Sequence, residues 1–143
     1  MQAFLSYAHS GPEREIVHPL ARRLESAGIA VWTDDLVRAG DDWMRAIANA
    51  LETSEVLLVL VSPNYWTSRA CRSELEAMLS ECARNPDKRI IPVLVQATEF
   101  VRNIPGTLHY IDGRSRTIPQ LADMIAAQVH AGTRFAEAGA VAN

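Results

Sequence analysis

The sequence predicts an α/β fold: a doubly wound, three-layer sandwich built on one parallel sheet. Three observations carry this. Short apolar runs alternate with helical patterns along the chain. The runs are apolar on both faces rather than on every second residue, as expected of strands covered by helices on both sides. And 143 residues suffice for one well-packed domain, whereas two would each be marginal.

Each element has its own signal. The first strand is read at Ala3–Tyr7, followed by a helical pattern on Ile16, Val17, Leu20 and Leu24. Pro19 falls inside that pattern, which predicts a kink or two short pieces. A second strand at Ile29–Thr33 leads to a helix whose stripe is Trp43, Ile47, Ala50 and Leu51, with Asp41 and Asp42 suited to its cap and first turn. The third strand, "VLLVLV" at Val56–Val61, precedes a stripe of Cys71, Leu75, Met78, Leu79 and Cys82 on a helix that Ser68 would cap. Pro92 lies within the fourth strand, Ile90–Val95, and removes a donor, which places it near the sheet edge. Gln96–Thr107 reads as irregular, and a weak fifth strand follows at Leu108–Ile111. The last helix carries Ile118, Leu121, Ala122, Ile125 and Val129, and opens with "TIPQ", a capping-box pattern. Beyond His130 the pattern weakens. The reading is one domain over residues 1–130 and a linker or frayed tail over 131–143, where a longer protein would continue toward a sensor domain.

Composition excludes several classes. The formal net charge is -3 and Lys and Arg form no long run, so nucleic-acid binding has no support. The longest apolar run is far too short to span a bilayer, and no signal peptide is visible, which points to a cytoplasmic protein away from membranes. Cys71 and Cys82 stand eleven apart without CxxC or His/Cys spacing, and His9, His18, His109 and His130 are scattered, so no metal site is expected. GxGxxG, P-loop and GxSxG patterns are all missing. A phosphoacceptor receiver domain needs acids after the first strand and an Asp ending the third; Tyr7-Ala8-His9 and Ser62 stand there instead.

In doubly wound folds the ligand crevice lies at the carboxyl ends of the strands, where strand order reverses. The loops "SYAHSG", "DDLVRAG" and "SPNYWTSRA" all emerge on that edge. Glu74 lies in the second turn of the third helix, about 60° around the axis from Cys71, and so flanks the buried stripe. A boundary glutamate bending out to solvent is the commoner state of such a residue. Glu52, Glu76 and Glu81 read as ordinary solvated charges. Tyr7, Trp32, Trp43, Tyr65 and Trp66 fall near the crevice and could stack a flat ring; core packing explains Trp32 and Trp43 almost as well, while Tyr65–Trp66 reads as an exposed pair.

The segments "FLSYAHSG", "GIAVWTDD", "RAGDDW", "SPNYWTSRACRSEL" and "IIPVL" together resemble a Toll/interleukin-1 receptor (TIR) domain, of bacterial type, over roughly residues 1–130. That resemblance implies a flavodoxin-like sandwich with a five-stranded parallel sheet in the order 2-1-3-4-5. It implies that Glu74, in "SRACRSEL", is the residue that cleaves NAD+ in the family's enzymes, with NAD+ as substrate and no further cofactor. By the same resemblance Tyr7, Ala8 and His9 border the nucleotide, and Trp32, Arg38, Trp43, Ser68 and Cys71 join the binding set. The segment Asp34–Trp43 matches a mobile loop used for self-association. The chain departs from the family at Ala70, where many members carry Trp, and Tyr65, Trp66 or Trp43 would have to replace that ring. It departs again at Ala8-His9, so that Arg38 or Arg69 would have to meet the phosphates.

Two classes of function follow from the resemblance. One is an NAD+ glycohydrolase or ADP-ribosyl cyclase, switched on by self-assembly in bacterial antiphage signalling. The other is a non-catalytic adaptor acting through TIR–TIR contacts around Leu36–Gly40. A secreted mimic of host signalling domains is a third and weaker reading. The retained Glu74 favours the enzyme.

Overall fold

The computed structural model describes residues 1–96 and 109–142, with residues 132–142 described by their backbone alone. The elements run β1 (Gln2–Ser6), α1 (Glu13–Ser26), β2 (Ala30–Trp32), a 3-10 turn (Asp34–Leu36), α2 (Trp43–Thr53), β3 (Val56–Val61), α3 (Pro63–Thr67), α4 (Arg69–Arg84), β4 (Arg89–Leu94), β5 (Ile111–Asp112) and α5 (Ile118–Ala142). All strand pairs are parallel and the sheet order is β2-β1-β3-β4-β5, as expected.

The strands place alternate side chains in two cores. On one face Ala3, Leu5, Val56, Leu58 and Leu60 pack with Val17, Leu20 and Leu24 of α1 and Leu121, Ile125 and Val129 of α5. On the other face Phe4, Leu57, Val59 and Val61 pack with Ile47, Ala50 and Leu51 of α2, Tyr65 of α3 and Cys71 and Met78 of α4. This two-sided burial is what the uninterrupted apolar runs encode.

Local signals also hold. Asp42 caps α2 by accepting from the Arg45 amide at 3.1 Å, and Ser68 caps α4 by accepting from the Cys71 amide at 3.2 Å. Thr117 and Gln120 close the reciprocal capping box, at 3.0 and 3.2 Å. Pro92 pairs with Val59 on the β3 side, whereas β5 pairs with Val93 and Leu94, so the missing donor falls where β4 has no outer strand partner among the described residues. Gly11 takes a left-handed φ of 115°. A β-carbon there would collide with the side chain of Asn64 and the Glu13 carboxyl, so the first loop needs glycine on both counts.

Several expectations are corrected. Of the two forms expected at Pro19, the split into two pieces does not occur, since α1 is one helix. The Tyr65–Trp66 pair is not exposed: the short helix α3 folds Tyr65 fully into the core and half-buries Trp66. Leu79 and Trp43 lie outward from their helices instead of in the buried stripes. Glu81 is not simply solvated, because it binds Lys88 and Arg84. The helical backbone of α5 runs on to Ala142, past His130, which does not bear on the domain bounds read from the sequence. The segment read as irregular, Gln96–Thr107, lies outside the described residues apart from Gln96, as does Leu108 of the expected fifth strand, and the last strand begins at Ile111.

Candidate active site

The order β2-β1-β3 places a switch point beside β1, because α1 leaves β1 on one face while α3 and α4 follow β3 on the other. At the carboxyl edge beside it, a cleft of about 360 Å³ opens between α2 and α4. Its walls are Trp43, Met44 and Ile47 from α2 and Arg69, Ala70, Ser73, Glu74 and Ala77 from α4. Apart from Glu74, Arg69 and Ser73 the lining is apolar.

Glu74 belongs to the buried face of α4, with Cys71 and Met78, rather than to its boundary. Only 7 % of its surface is exposed. Ser6 Oγ donates to Glu74 Oε1 at 3.1 Å, and the Tyr65 hydroxyl lies 2.9 Å from Ser6 Oγ. No salt bridge reaches this carboxylate among the described residues. Burial pushes the Glu74 carboxyl up to about 7, and the nearby charge of Asp34 adds to this; the Ser6 hydrogen bond and His9 oppose it. Such a group changes charge near neutral pH, the range that suits an acid–base catalyst, and stands ionised above it.

The binding residues expected from the sequence fall into two sets. Tyr7 and Ala8 are buried beneath the first loop, with the Tyr7 carbonyl accepting from Cys71 Sγ at 3.4 Å and its hydroxyl donating to Asp35. Burial and Asp35 raise the Tyr7 phenol well above its usual range, and burial pushes the Cys71 thiol up to about 11. His9 lies at the surface, tilted against the Tyr7 ring, with Nε2 2.7 Å from Asp34. Ser68 is engaged as the α4 cap. Of these residues His9 and Cys71 lie close enough to Glu74 to interact with it electrostatically, while Trp43 lines the α2 wall of the cleft that Ala70 and Glu74 line from α4. The other set lies apart: Trp32 stacks on Phe4 at 4.9 Å, and Arg38 is exposed in the turn closed by Asp41.

His9, Asp34 and Asp35 bring one ligand atom each within 4.8 Å of one another, and His18 adds a contact to Asp35 at 3.5 Å. Sequence spacing does not show this cluster, because it joins the loops after β1 and β2. Close contacts of His9 and His18 with the two carboxylates tie the loop after β2 to the loop after β1 and to α1.

Sequence reasoning missed Ser6, and it missed Met44, Ile47 and Ser73 as cleft walls. The available signal for Ser6 was parity: it follows Phe4 by two residues and so must face α4.

A family model of the TIR domain matches residues 3–126. The chain belongs to the TIR domain family. Over 123 residues it is 25% identical to the Sinorhizobium fredii protein y4lF (strain NBRC 101917 / NGR234), covering 85% of this chain and 38% of that protein. Over 91 residues it is 31% identical to the NAD(+) hydrolase TcpA of Theionarchaea archaeon (strain DG-70-1), covering 63% of this chain and 27% of that protein. The TIR domain thus spans well under half the length of these relatives. Among solved structures, the TIR domains of the activated Roq1 resistosome superpose with a TM-score of 0.64 at 25% identity, covering 73% of this chain and 64% of that one. No described helix of this TIR domain is long and apolar enough to cross a membrane.

Proposed function

We propose that this TIR domain cleaves the nicotinamide–ribose bond of NAD+, with Glu74 as its catalytic residue. The observation that carries the reading is a desolvated carboxylate, without a salt bridge among the described residues, in the wall of an apolar cleft at the switch point of the sheet. Similarity to an NAD(+) hydrolase of the same family supports it.

The chemistry needs only one carboxylate. Glycosidases ordinarily need an acid to protonate the leaving oxygen as well as a second carboxylate at the sugar. The nicotinamide of NAD+ is already cationic, so it takes the bonding pair and departs as a neutral ring without protonation. Positive charge then develops on the ribose, and ionised Glu74 stabilises it in a site that water screens poorly. Water adding at the anomeric carbon gives ADP-ribose and a proton; an internal nucleophile gives a cyclic isomer. The flat faces of Trp43 and the aliphatic walls suit a pyridine ring, and Arg69 at the mouth is the cleft cation nearest in kind to a phosphate partner. Tyr7, Ala8, His9, Ser68 and Cys71 shape the β1 side of this proposed site.

Incubating the protein with NAD+ and resolving nicotinamide, ADP-ribose and cyclic products tests this. Glu74→Gln should lower nicotinamide release by at least about 100-fold, the scale seen when one transition-state electrostatic contact is removed. Absence of nicotinamide release from the wild-type protein, even when concentrated to force assembly, would overturn the proposal in favour of a scaffold.

Self-association belongs to the same proposal. Leu36 is 59 % exposed in the turn after β2, and Met44 is 72 % exposed at the start of α2. A head-to-tail contact made there would bring a neighbour onto the mouth of the cleft. Leu36→Asp should abolish concentration-dependent assembly in light scattering and lower turnover with it; full turnover from a strictly monomeric protein would remove this part.

A further inference from the structure

Glu74 does not stand alone in the core. Ser6 ends β1 and is 1% exposed, and Tyr65, from α3, is wholly buried. Three separate elements therefore meet at one carboxylate, through links of 2.9 Å and 3.1 Å. We propose that Tyr65 and Ser6 form a directional hydroxyl chain that positions Glu74, holding Oε1 so that Oε2 alone is presented to the cleft and favouring the ionised carboxylate. The inference rests on the reading that Glu74 is the catalytic group.

The direction of the chain follows from counting hydrogens. An ionised carboxylate only accepts, so the Ser6 hydroxyl must donate to Oε1. Ser6 has one hydrogen, so the link to Tyr65 must be donated by Tyr65. Burial holds the Tyr65 phenol above its usual range, so this donor keeps its proton wherever Glu74 titrates. Protonation of Glu74 on Oε1 would give the chain three hydrogens and only two links, leaving a buried O–H without an acceptor among the described residues. The titrating proton is thereby confined to Oε2, which has no hydrogen-bond partner among the described residues.

The other groups facing Glu74 act through space. Asp34, in the turn after β2, disfavours the anion, and His9, in the loop after β1, favours it. Cys71 and Arg69 flank it on α4 itself, while α2 presents the uncharged Trp43, Met44 and Ile47. Among the described residues only Ser6 supplies a hydrogen bond to the Glu74 carboxylate, so its removal tests the chain most directly.

The experiment uses Ser6→Ala, Ser6→Thr and Tyr65→Phe in the full chain. The Glu74 carboxyl is titrated by carbon-detected NMR with labelled glutamate, its signal assigned by loss in Glu74→Gln. Ser6→Ala should move the titration midpoint up by about one pH unit, a tenfold change in ionisation constant. Nicotinamide release should fall about tenfold at pH 6 and recover above pH 8, with KM little changed. Tyr65→Phe should shift the midpoint in the same direction by less, and Ser6→Thr, which keeps the hydroxyl, should restore it. An unmoved midpoint in folded Ser6→Ala, or in Tyr65→Phe should Ser6→Ala fail to fold, overturns the chain even if the wild type cleaves NAD+. A shifted midpoint in a protein that releases no nicotinamide sustains the chain and overturns the catalytic reading instead.

Discussion

Of the three charged side chains buried among the described residues, Lys88 and Glu74 stand at opposite ends of the sheet and are handled in opposite ways. Lys88 precedes β4 at the amino edge. Its Nζ donates to the carbonyls of Leu51 and Glu52, at 2.7 and 2.6 Å, and to Glu81 Oε1 at 2.9 Å, so all three of its hydrogens are used. Two of those acceptors are carbonyls of the last turn of α2, where a cation also suits the helix dipole. Glu81 in turn binds Arg84, and its two cations hold its carboxyl below the usual range. Glu74, at the carboxyl edge, has one neutral hydroxyl donor on one oxygen and a carboxyl pushed up to about 7. The first charge is fully compensated and ties α2 to β4. The second is left short of partners beside a cleft, and the stability it forgoes is what keeps it reactive.

The comparison is broken most severely by removing the compensated charge. Lys88→Met keeps the aliphatic stem but strands a helix terminus and leaves Glu81 without its buried partner. Glu81 keeps Arg84, so the cost falls on the unpaired carbonyls of Leu51 and Glu52, about 1–3 kcal/mol each. Denaturant unfolding should show that loss, while nicotinamide release per folded molecule stays near wild type, because Lys88 lies at the opposite end of the sheet from the cleft. A loss of turnover without a loss of stability would mean that the two edges are not independent.

How much of this contrast was legible in the sequence depends on what each residue's neighbours encode. The fold was readable because burial on both faces of a parallel sheet writes itself as "VLLVLV" and "IIPVL", and because caps such as Asp42, Ser68 and Thr117 act within one turn. Glu74 could be placed on α4, but its depth could not be fixed. A helical repeat gives an angle around an axis, whereas whether that angle is sealed depends on β1 and α3 closing over it. Tyr65 was misjudged for the same reason. "SPNYWT" reads as a loop until Ser62 caps it into a short helix, which turns the ring inward. Parity gives Ser6 its face of the sheet but not its partners, and Lys88 carries no distinguishing signal of its own, since those partners lie 59 to 68 and 7 to 37 residues away. Contacts between distant elements are what the linear pattern hides.

The smaller effect sharpens the comparison by using pH. The Glu74 carboxyl titrates at about 7 in the folded protein, against an ordinary 4.5 that the unfolded chain regains. Between those values the unfolded chain has released the proton while the folded protein still holds it. The stabilising contribution of the bound proton is therefore complete below pH 4.5 and is lost as the pH rises through 7. That loss amounts to about 2–3 kcal/mol between pH 5 and pH 8. Glu74→Gln lacks the titration, so its stability relative to wild type should climb across the same interval, every other titrating group being common to both proteins. Denaturant midpoints of the two proteins at half-unit steps of pH measure the difference. Parallel profiles would show that the carboxyl ionises as easily folded as unfolded, and that Glu74 is as well compensated as Lys88.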